Sequence, residues 1–289
     1  MDAAPVLVEV ARAKINLTLE VLGKRPDGYH EIASLVAFAD FGDRLALTPW
    51  DRWSLQCNGP MAGCITGGNL VDRAAHAVAA AWPEASTGLI ELHKQLPVAA
   101  GIGGGSADAA ACLRLLAKLN QDRDGAPDWM RLARTIGADV PVCLINRLAF
   151  MQGIGDRVKS LGLAARIPAV LVNPRTPLST ASVFAELAAP HLKSPAEDES
   201  PPQFENAQEL IGWVAKGRND LEAPALRLAP IIDGVRTALL AQPGCQVARL
   251  SGSGPTCFGI FETAPGAATA AEVIAREQPN WWVRATALS

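Results

Sequence analysis

The stretch "LPVAAGIGGGSADAAACLRLL", Leu96 to Leu116, has the spacing most suggestive of chemistry: Gly101, Gly103, Gly104 and Gly105 run straight into an alanine-rich segment opened by Ser106. Glycine loses more conformational freedom on folding than any other residue, so a run of four implies that the backbone itself must come close to something. A glycine loop that opens a helix at Ser106 offers free N–H groups and the positive end of a helix dipole, and polyphosphate fits that geometry. A tight turn with close helix packing is the competing reading of the same glycines. Two familiar phosphate loops are excluded. The dinucleotide fingerprint needs glycine where Ser106 stands, and a Walker A loop needs a lysine that this run lacks. Asp108, in the expected first turn, suits the dipole but repels phosphate unless it is turned aside or near a metal, and spacing does not decide which.

Other reactive-looking residues give weaker patterns. His30 precedes Glu31, but H-E-x-x-H would need histidine where Ser34 stands, and His76, His93 and His191 have no ligand spacing, which argues against zinc. "SGSG" at Ser251–Gly254 lacks the glycine placement of a hydrolase elbow and reads as a tight glycine turn. The six cysteines form no C-x-x-C pair and lie mostly in apolar stretches, as buried thiols in a reducing compartment do. A formal net charge of −3 with scattered basic residues argues against a nucleic-acid partner. The opening "MDAAPVLVEV" carries an acid where a leader peptide carries a base, and no apolar run is long enough to span a membrane. The expectation is a cytoplasmic protein without a membrane partner.

Positioning these residues requires both strands and helices. With 289 residues, 49% of them hydrophobic, the chain can bury two cores. "VLVEVARAKINLTLEVLG" alternates like two strands or one long bent one, and "KRPDGYHE" is a turn that displays Tyr29 and His30. "SLVAFADFGDRLALTP" is again strand-like, and "NLVDRAAHAVAAAW" is helical behind a cap at Asn69. The helix after the glycine run ends before "DGAP". "IPAVLVNP" restarts the pattern as a buried strand, which puts a domain boundary near residues 160–168. The polar, proline-rich stretch from Lys193 reads as a surface loop, and "VARLSGSGPTCFGIFE" as strand, glycine turn and strand.

Taken together, the motifs resemble those of the GHMP kinases, the family of galactokinase, homoserine kinase, mevalonate kinase and phosphomevalonate kinase. "LPVAAGIGGGSADAA" is similar to the family's phosphate loop and "RLSGSGPTCFGIF" to its third motif. "ARAKINLTLEVLGKRPDGYHEI", "GADVPVCL" and "NPRTPLSTASVF" follow the order and spacing of one branch, whose acceptor is a cytidine-diphosphate-linked methylerythritol. The resemblance implies an α+β, two-domain GHMP-kinase-like fold, with an N-terminal ATP-binding domain over residues 1–165 and a smaller C-terminal α/β-sandwich domain over residues 166–289. It implies transfer of the γ-phosphoryl group of ATP, with Mg²⁺, to the acceptor's 2-hydroxyl, a step of the non-mevalonate isoprenoid pathway, by a monomer or weak homodimer.

By the same matching, Lys14 and Asp139 take the catalytic positions. ATP falls to Asn69, Lys94, Pro97, Val98, Ala99, Ala100, Gly101, Ile102, Gly103, Gly104, Gly105, Ser106 and Ala107. The acceptor falls to Asn16, Tyr29, His30, Thr180 and Phe184, with Tyr29 and His30 as a flat platform for the cytosine. Some relatives carry serine or asparagine where Ala107 and Asp108 stand here. In this scheme Asp139 accepts the hydroxyl proton and Lys14 stabilises charge on the moving phosphoryl group. Taken singly, Asp139 also reads as a helix cap and Lys14 as a solvated strand-edge lysine. The alternatives are a homoserine- or mevalonate-type kinase, which has no use for "PDGYHE", and a silent nucleotide- or sugar-phosphate-binding module, which has no use for Lys14 with Asp139.

Overall fold

A computed structural model describes residues 6–64, 68–163, 166–192 and 200–289. The first five residues, on which the leader argument partly rests, and residues 193–199 of the expected surface loop lie outside that description.

In chain order the structure contains β1 (Leu7–Asn16), β2 (Glu20–Lys24), β3 (His30–Trp50), β4 (Ser54–Asn58), α1 (Leu70–Ala81), β5 (Thr87–His93), α2 (Gly104–Leu119), α3 (Trp129–Ile136) and α4 (Val140–Ile145). There follow β6 (Ala149–Gly153), β7 (Arg157–Ser160), β8 (Ile167–Asn173), α5 (Thr180–Leu187), α6 (Ala207–Lys216), α7 (Glu222–Leu228), α8 (Ile231–Leu240), β9 (Cys245–Leu250), β10 (Cys257–Phe261), α9 (Ala264–Glu277) and β11 (Trp282–Leu288). The stretch Val6–Gly23, expected as two strands or one long bent one, is two strands. The helix after the glycine run starts at Gly104, two residues before Ser106, because Gly103 takes a left-handed φ of 63° and itself forms the cap position.

These elements build two compact units that interleave along the chain, unlike a single cut near residue 165. One comprises the chain up to Ala13, Phe41–Val98 and Gly103–Asn146, and the other comprises Lys14–Asp40, Ala99–Ile102 and the chain from Arg147. Two strands run through both units: β1, divided after Ala13, and β3, one uninterrupted strand whose halves pair differently. Its first half pairs with β2 and with β6, Ile32 lying opposite Gly153 and Val36 opposite Ala149. Its second half pairs with β5, from Arg44 opposite His93 to Trp50 opposite Thr87.

In the first unit α1 and α2 supply the apolar core. Asn69 caps α1 as its chemistry dictates, its side-chain oxygen accepting from the Val71 N–H at 2.9 Å. Residues 107 to 113 of α2 are all buried, and three consecutive alanines, Ala109 to Ala111, let neighbouring elements approach closely all round. In the second unit β8, β9, β10 and β11 form antiparallel pairs, with Cys257 opposite Val172 and Val283 also opposite Val172 on β8's other edge. Val170, Val172, Val235, Leu239, Phe261 and Ile274 form the core beneath α8 and α9. Cys112, Cys143 and Cys257 are buried, as expected, whereas Cys57 is exposed. No helix among the described residues is long and apolar enough to cross a membrane.

Candidate functional site

The glycine run divides its work between the two units. Residues 99 to 102 belong to the second, where three successive carbonyls have protein donors. Ala100 O accepts from the Thr256 N–H at 3.3 Å, Gly101 O from the Ser251 hydroxyl at 3.0 Å, and Ile102 O from the Lys14 N–H at 2.9 Å. In a planar trans peptide the N–H points opposite to the C=O, so the amides of Gly101, Ile102 and Gly103 are turned away from those donors. Gly101 has φ +71°, and a Cβ on it would lie 2.6 Å from Ser251 O and 2.7 Å from Gly254 N. This glycine is bare because the "SGSG" turn packs against it, which is the packing reading, true at this one position. Ala99 also takes a positive φ, 52°, although it is not glycine.

In the first unit the run becomes helix. Gly104 has no left-handed φ, and a Cβ there would stand 3.7 Å from Leu96 and 3.8 Å from Lys94 Nζ, at ordinary contact distance. Neither packing nor backbone conformation within the protein therefore demands glycine at 104. Ile102 and Ala107 are buried, Pro97 and Ala100 are buried, Val98 and Gly105 are exposed, and Ser106 is half-buried at the first turn of α2.

Asp108 is turned aside. Its Oδ2 accepts from Lys94 Nζ at 2.7 Å, and Lys94 also donates to Asp43 Oδ2, so two carboxylates share one buried ammonium. Oδ1 of Asp108 is buried without a hydrogen-bond partner. Burial pushes the Asp108 carboxyl upward, Lys94 pulls it down, and the nearby Asp43 carboxylate pushes it up again, with a net rise. Burial lowers Lys94, and the carboxylates of Asp108 and Asp43 more than reverse that, keeping it a cation. Asn69, expected near the nucleotide, spends its oxygen on capping α1, while its Nδ2 lies 3.6 Å from Cys57 Sγ.

Lys14 is not a solvated edge residue, since only 4% of it is exposed. Asp139 occupies the cap position of α4 but makes no side-chain capping bond, so helix capping does not account for its carboxylate. Lys14 lies in the second unit and Asp139 in the first. Asn16, two residues beyond Lys14, is held at both ends, its N–H donating to Ser251 Oγ at 3.1 Å and its Nδ2 to Ser34 Oγ at 2.7 Å. Gly252 must be bare here, because a Cβ would lie 3.0 Å from Gly101 O and 3.2 Å from Asn16 Oδ1. The hydroxyl of Thr180 hydrogen-bonds with that of Ser253 at 2.8 Å.

The aromatic platform differs from the expected one. His30 stacks on Phe184, with centroids 4.6 Å apart and planes inclined by 25°, while Tyr29 is 59% exposed. The reason is that β3 begins at His30, which fixes that ring in the unit, whereas Tyr29 still belongs to the turn, its N–H bonded to Asp27 Oδ1 at 3.1 Å. Burial, and then the Lys24 charge, lower the His30 imidazole, which favours a neutral ring. Asp43 and the dual bond of Ser251 are not legible along the chain. Ser251 lies in the "SGSG" turn, but nothing in the surroundings of Asp43 in the sequence marks it.

Comparison with known proteins gives this geometry its kin. The family described as GHMP kinases N terminal domain matches residues 69–147, and GHMP kinases C terminal matches residues 202–280. A 4-diphosphocytidyl-2-C-methyl-D-erythritol kinase of Bradyrhizobium diazoefficiens is 46% identical, with all of both chains covered. One of Methylorubrum extorquens (strain PA1) is 50% identical, over 98% of this chain and 99% of that one. A crystal structure of 4-(cytidine 5'-diphospho)-2C-methyl-D-erythritol kinase superposes with a TM-score of 0.76 at 35% identity, covering 98% of this chain and 99% of the other. Homoserine kinase from Cytophaga hutchinsonii, at 17% identity and a TM-score of 0.70 over 98% of this chain and 94% of its own, shares the fold. With its glycine run, buried Lys14 and full-length likeness to such enzymes, the chain belongs to the 4-diphosphocytidyl-2-C-methyl-D-erythritol kinases of the GHMP kinase family.

Proposed function

We propose that the chain phosphorylates the 2-hydroxyl of 4-diphosphocytidyl-2-C-methyl-D-erythritol with ATP, in the non-mevalonate route to isoprenoids, through the residues described above. What supports the residue assignment is the orientation of the glycine run. The carbonyls of residues 100, 101 and 102 are occupied by protein donors, which leaves successive amides directed the other way, as a polyphosphate requires.

Phosphoryl transfer asks for an acceptor held in line and for neutralised charge. Asp139 takes the proton of the acceptor hydroxyl as the new O–P bond forms and the bond to the ADP leaving group breaks. Lys14 stabilises charge on the transferring group, its backbone fixed to the run through Ile102 O. Asn16 and Thr180, each held by a serine hydroxyl, orient the methylerythritol end, and the His30–Phe184 stack, with Tyr29 at its rim, receives the cytosine. Mg²⁺ enters with ATP and would neutralise phosphate charge. Such ions rest mainly on phosphates and one or two carboxylates, which suits described residues that hold no cluster of three or more metal-ligating side chains. Free thiols at Cys57, Cys112, Cys245 and Cys257 support a reducing, cytoplasmic setting. A monomer or weak homodimer without a nucleic-acid partner completes the proposal.

The test is ADP release with the cytidylated methylerythritol, homoserine and mevalonate offered side by side. Turnover on the first alone is expected. Equal or better turnover on either of the others would overturn the substrate assignment.

A further inference from the structure

Asp43 is fully buried and lies where the β3–β5 ladder stops, one residue beyond the pair Arg44 and His93. From there its carboxylate replaces the ladder. Oδ1 accepts the N–H groups of Gln95 and of Leu96, the latter at 2.9 Å, and Oδ2 accepts from Lys94 Nζ. One side chain thus fixes the three residues that lead into the glycine run. Two of those three, Lys94 through Nζ and Leu96 through its side chain, are what a Cβ on Gly104 would meet at 3.8 and 3.7 Å. The two carboxylates on Lys94 are not equivalent. Both oxygens of Asp43 are occupied, whereas Asp108 contributes one oxygen and leaves the other without a partner. When a polyanion competes for the ammonium, Asp43 is therefore the fixed point and Asp108 the partner that yields.

We propose that Asp43 is a positioning residue of the nucleotide site, which acts by holding the Lys94 ammonium beside the first turn of α2. This rests on the kinase reading above. A buried carboxylate that served stability alone would disturb both substrates or neither. A positioning role is specific to ATP and passes through Lys94.

The experiment compares the full-length wild type with Asp43→Asn, Lys94→Gln and the double variant, by ADP release and by the Mg-ATP-induced shift in melting temperature. Asp43→Asn is expected to raise KM for ATP about ten- to a hundredfold, the scale of a misplaced positioning group. KM for the cytidylated acceptor should stay within about twofold, and the ATP-induced shift should shrink in parallel. The double variant should have the same KM for ATP as Lys94→Gln alone, since coupled residues are not additive. A folded Asp43→Asn protein with wild-type KM for ATP, equal rises for both substrates, or additive effects in the double variant would each overturn the proposal. If Asp43→Asn alone does not fold, the double variant, which removes both charges of the pair, is compared with Lys94→Gln, and a further rise in KM for ATP is the refuting result. A wild type that binds ATP but turns over no acceptor would refute the kinase reading instead and leave this comparison readable on the thermal shift.

Discussion

Alanine placed at Gly104 and at Gly101 should have opposite consequences, although the two glycines lie three positions apart in one motif. At Gly104 the new methyl group meets Leu96 at 3.7 Å and no left-handed φ is disturbed, so the folded state accepts it. Replacing a glycine at a compatible helical position stabilises by about 0.4–1 kcal/mol through the unfolded chain, or about 1–3 °C in Tm for a protein of this size. At Gly101 the methyl lies 2.6 Å from Ser251 O at φ +71°. Strain of about 1–2 kcal/mol for the left-handed φ adds to about 1–3 kcal/mol for overpacking, so the loss is about 2–5 kcal/mol. The assay is thermal unfolding with and without Mg-ATP, because ligand stabilisation follows RT ln(1 + [L]/Kd). At a ligand concentration near 100 times the wild-type Kd the ATP term is about 2.7 kcal/mol, and a tenfold loss of affinity leaves about 1.4 kcal/mol. Gly104→Ala should therefore melt slightly higher than wild type alone and gain only about half as much from ATP, with Gly104→Val losing most of the gain. A full ATP gain in both Gly104 variants would refute the placement of phosphate on the first turn of α2.

Asp139→Asn should lower turnover by about two to four orders of magnitude with the ATP-induced shift in Tm intact, and near-normal turnover would remove its role as base. Lys14→Arg should not restore the activity lost in Lys14→Ala, because a buried point charge is not replaced by a fork; equal turnover of the arginine variant and wild type would contradict this. Phe184→Ala should weaken the cytidylated acceptor by about 1–3 kcal/mol in calorimetric titration and Tyr29→Ala by less, and the reverse order would restore Tyr29 as the stacking partner. The raised carboxyl of Asp108 keeps its proton in the folded state over a range where the unfolded chain, at the ordinary value of 3.8, has released it. Stability from this group is therefore present below about pH 4 and is lost as pH rises toward the raised value, so the Tm of Asp108→Asn should gain on wild type as pH rises from 5 to 9. A constant difference across that range would show that the carboxyl is not raised.

What was legible in the sequence is what local chemistry decides. Asn69 caps α1 because an Asn before an apolar-periodic run has only the nearby N–H groups to satisfy, and the structure has that bond. The two strands before the Pro-Asp-Gly turn and the buried strand β8 follow from side-chain alternation and β-branching in the same way. Gly101 and Gly104 look alike in the sequence, yet one is bare because Ser251, 150 positions later, presses its backbone against it, and nothing within the protein requires the other to be bare. Tyr29 and His30 were paired by adjacency, and the single residue at which β3 begins assigns one ring to the core's edge and the other to solvent. The interleaved units are not legible in the sequence because β3 continues as one strand through the exposed Asp40, and a continuous strand carries no record of which neighbour it pairs with on either side of that residue. Asp43 is the limiting case. The second Asp in "DFGDRLAL" reads as solvated surface until the fold brings Lys94 to it from 51 positions away, at which point it is buried and held by three hydrogen bonds. Chemistry that depends on such long-range encounters is written in the topology, and in this chain that topology brings the buried Lys94 to its carboxylate.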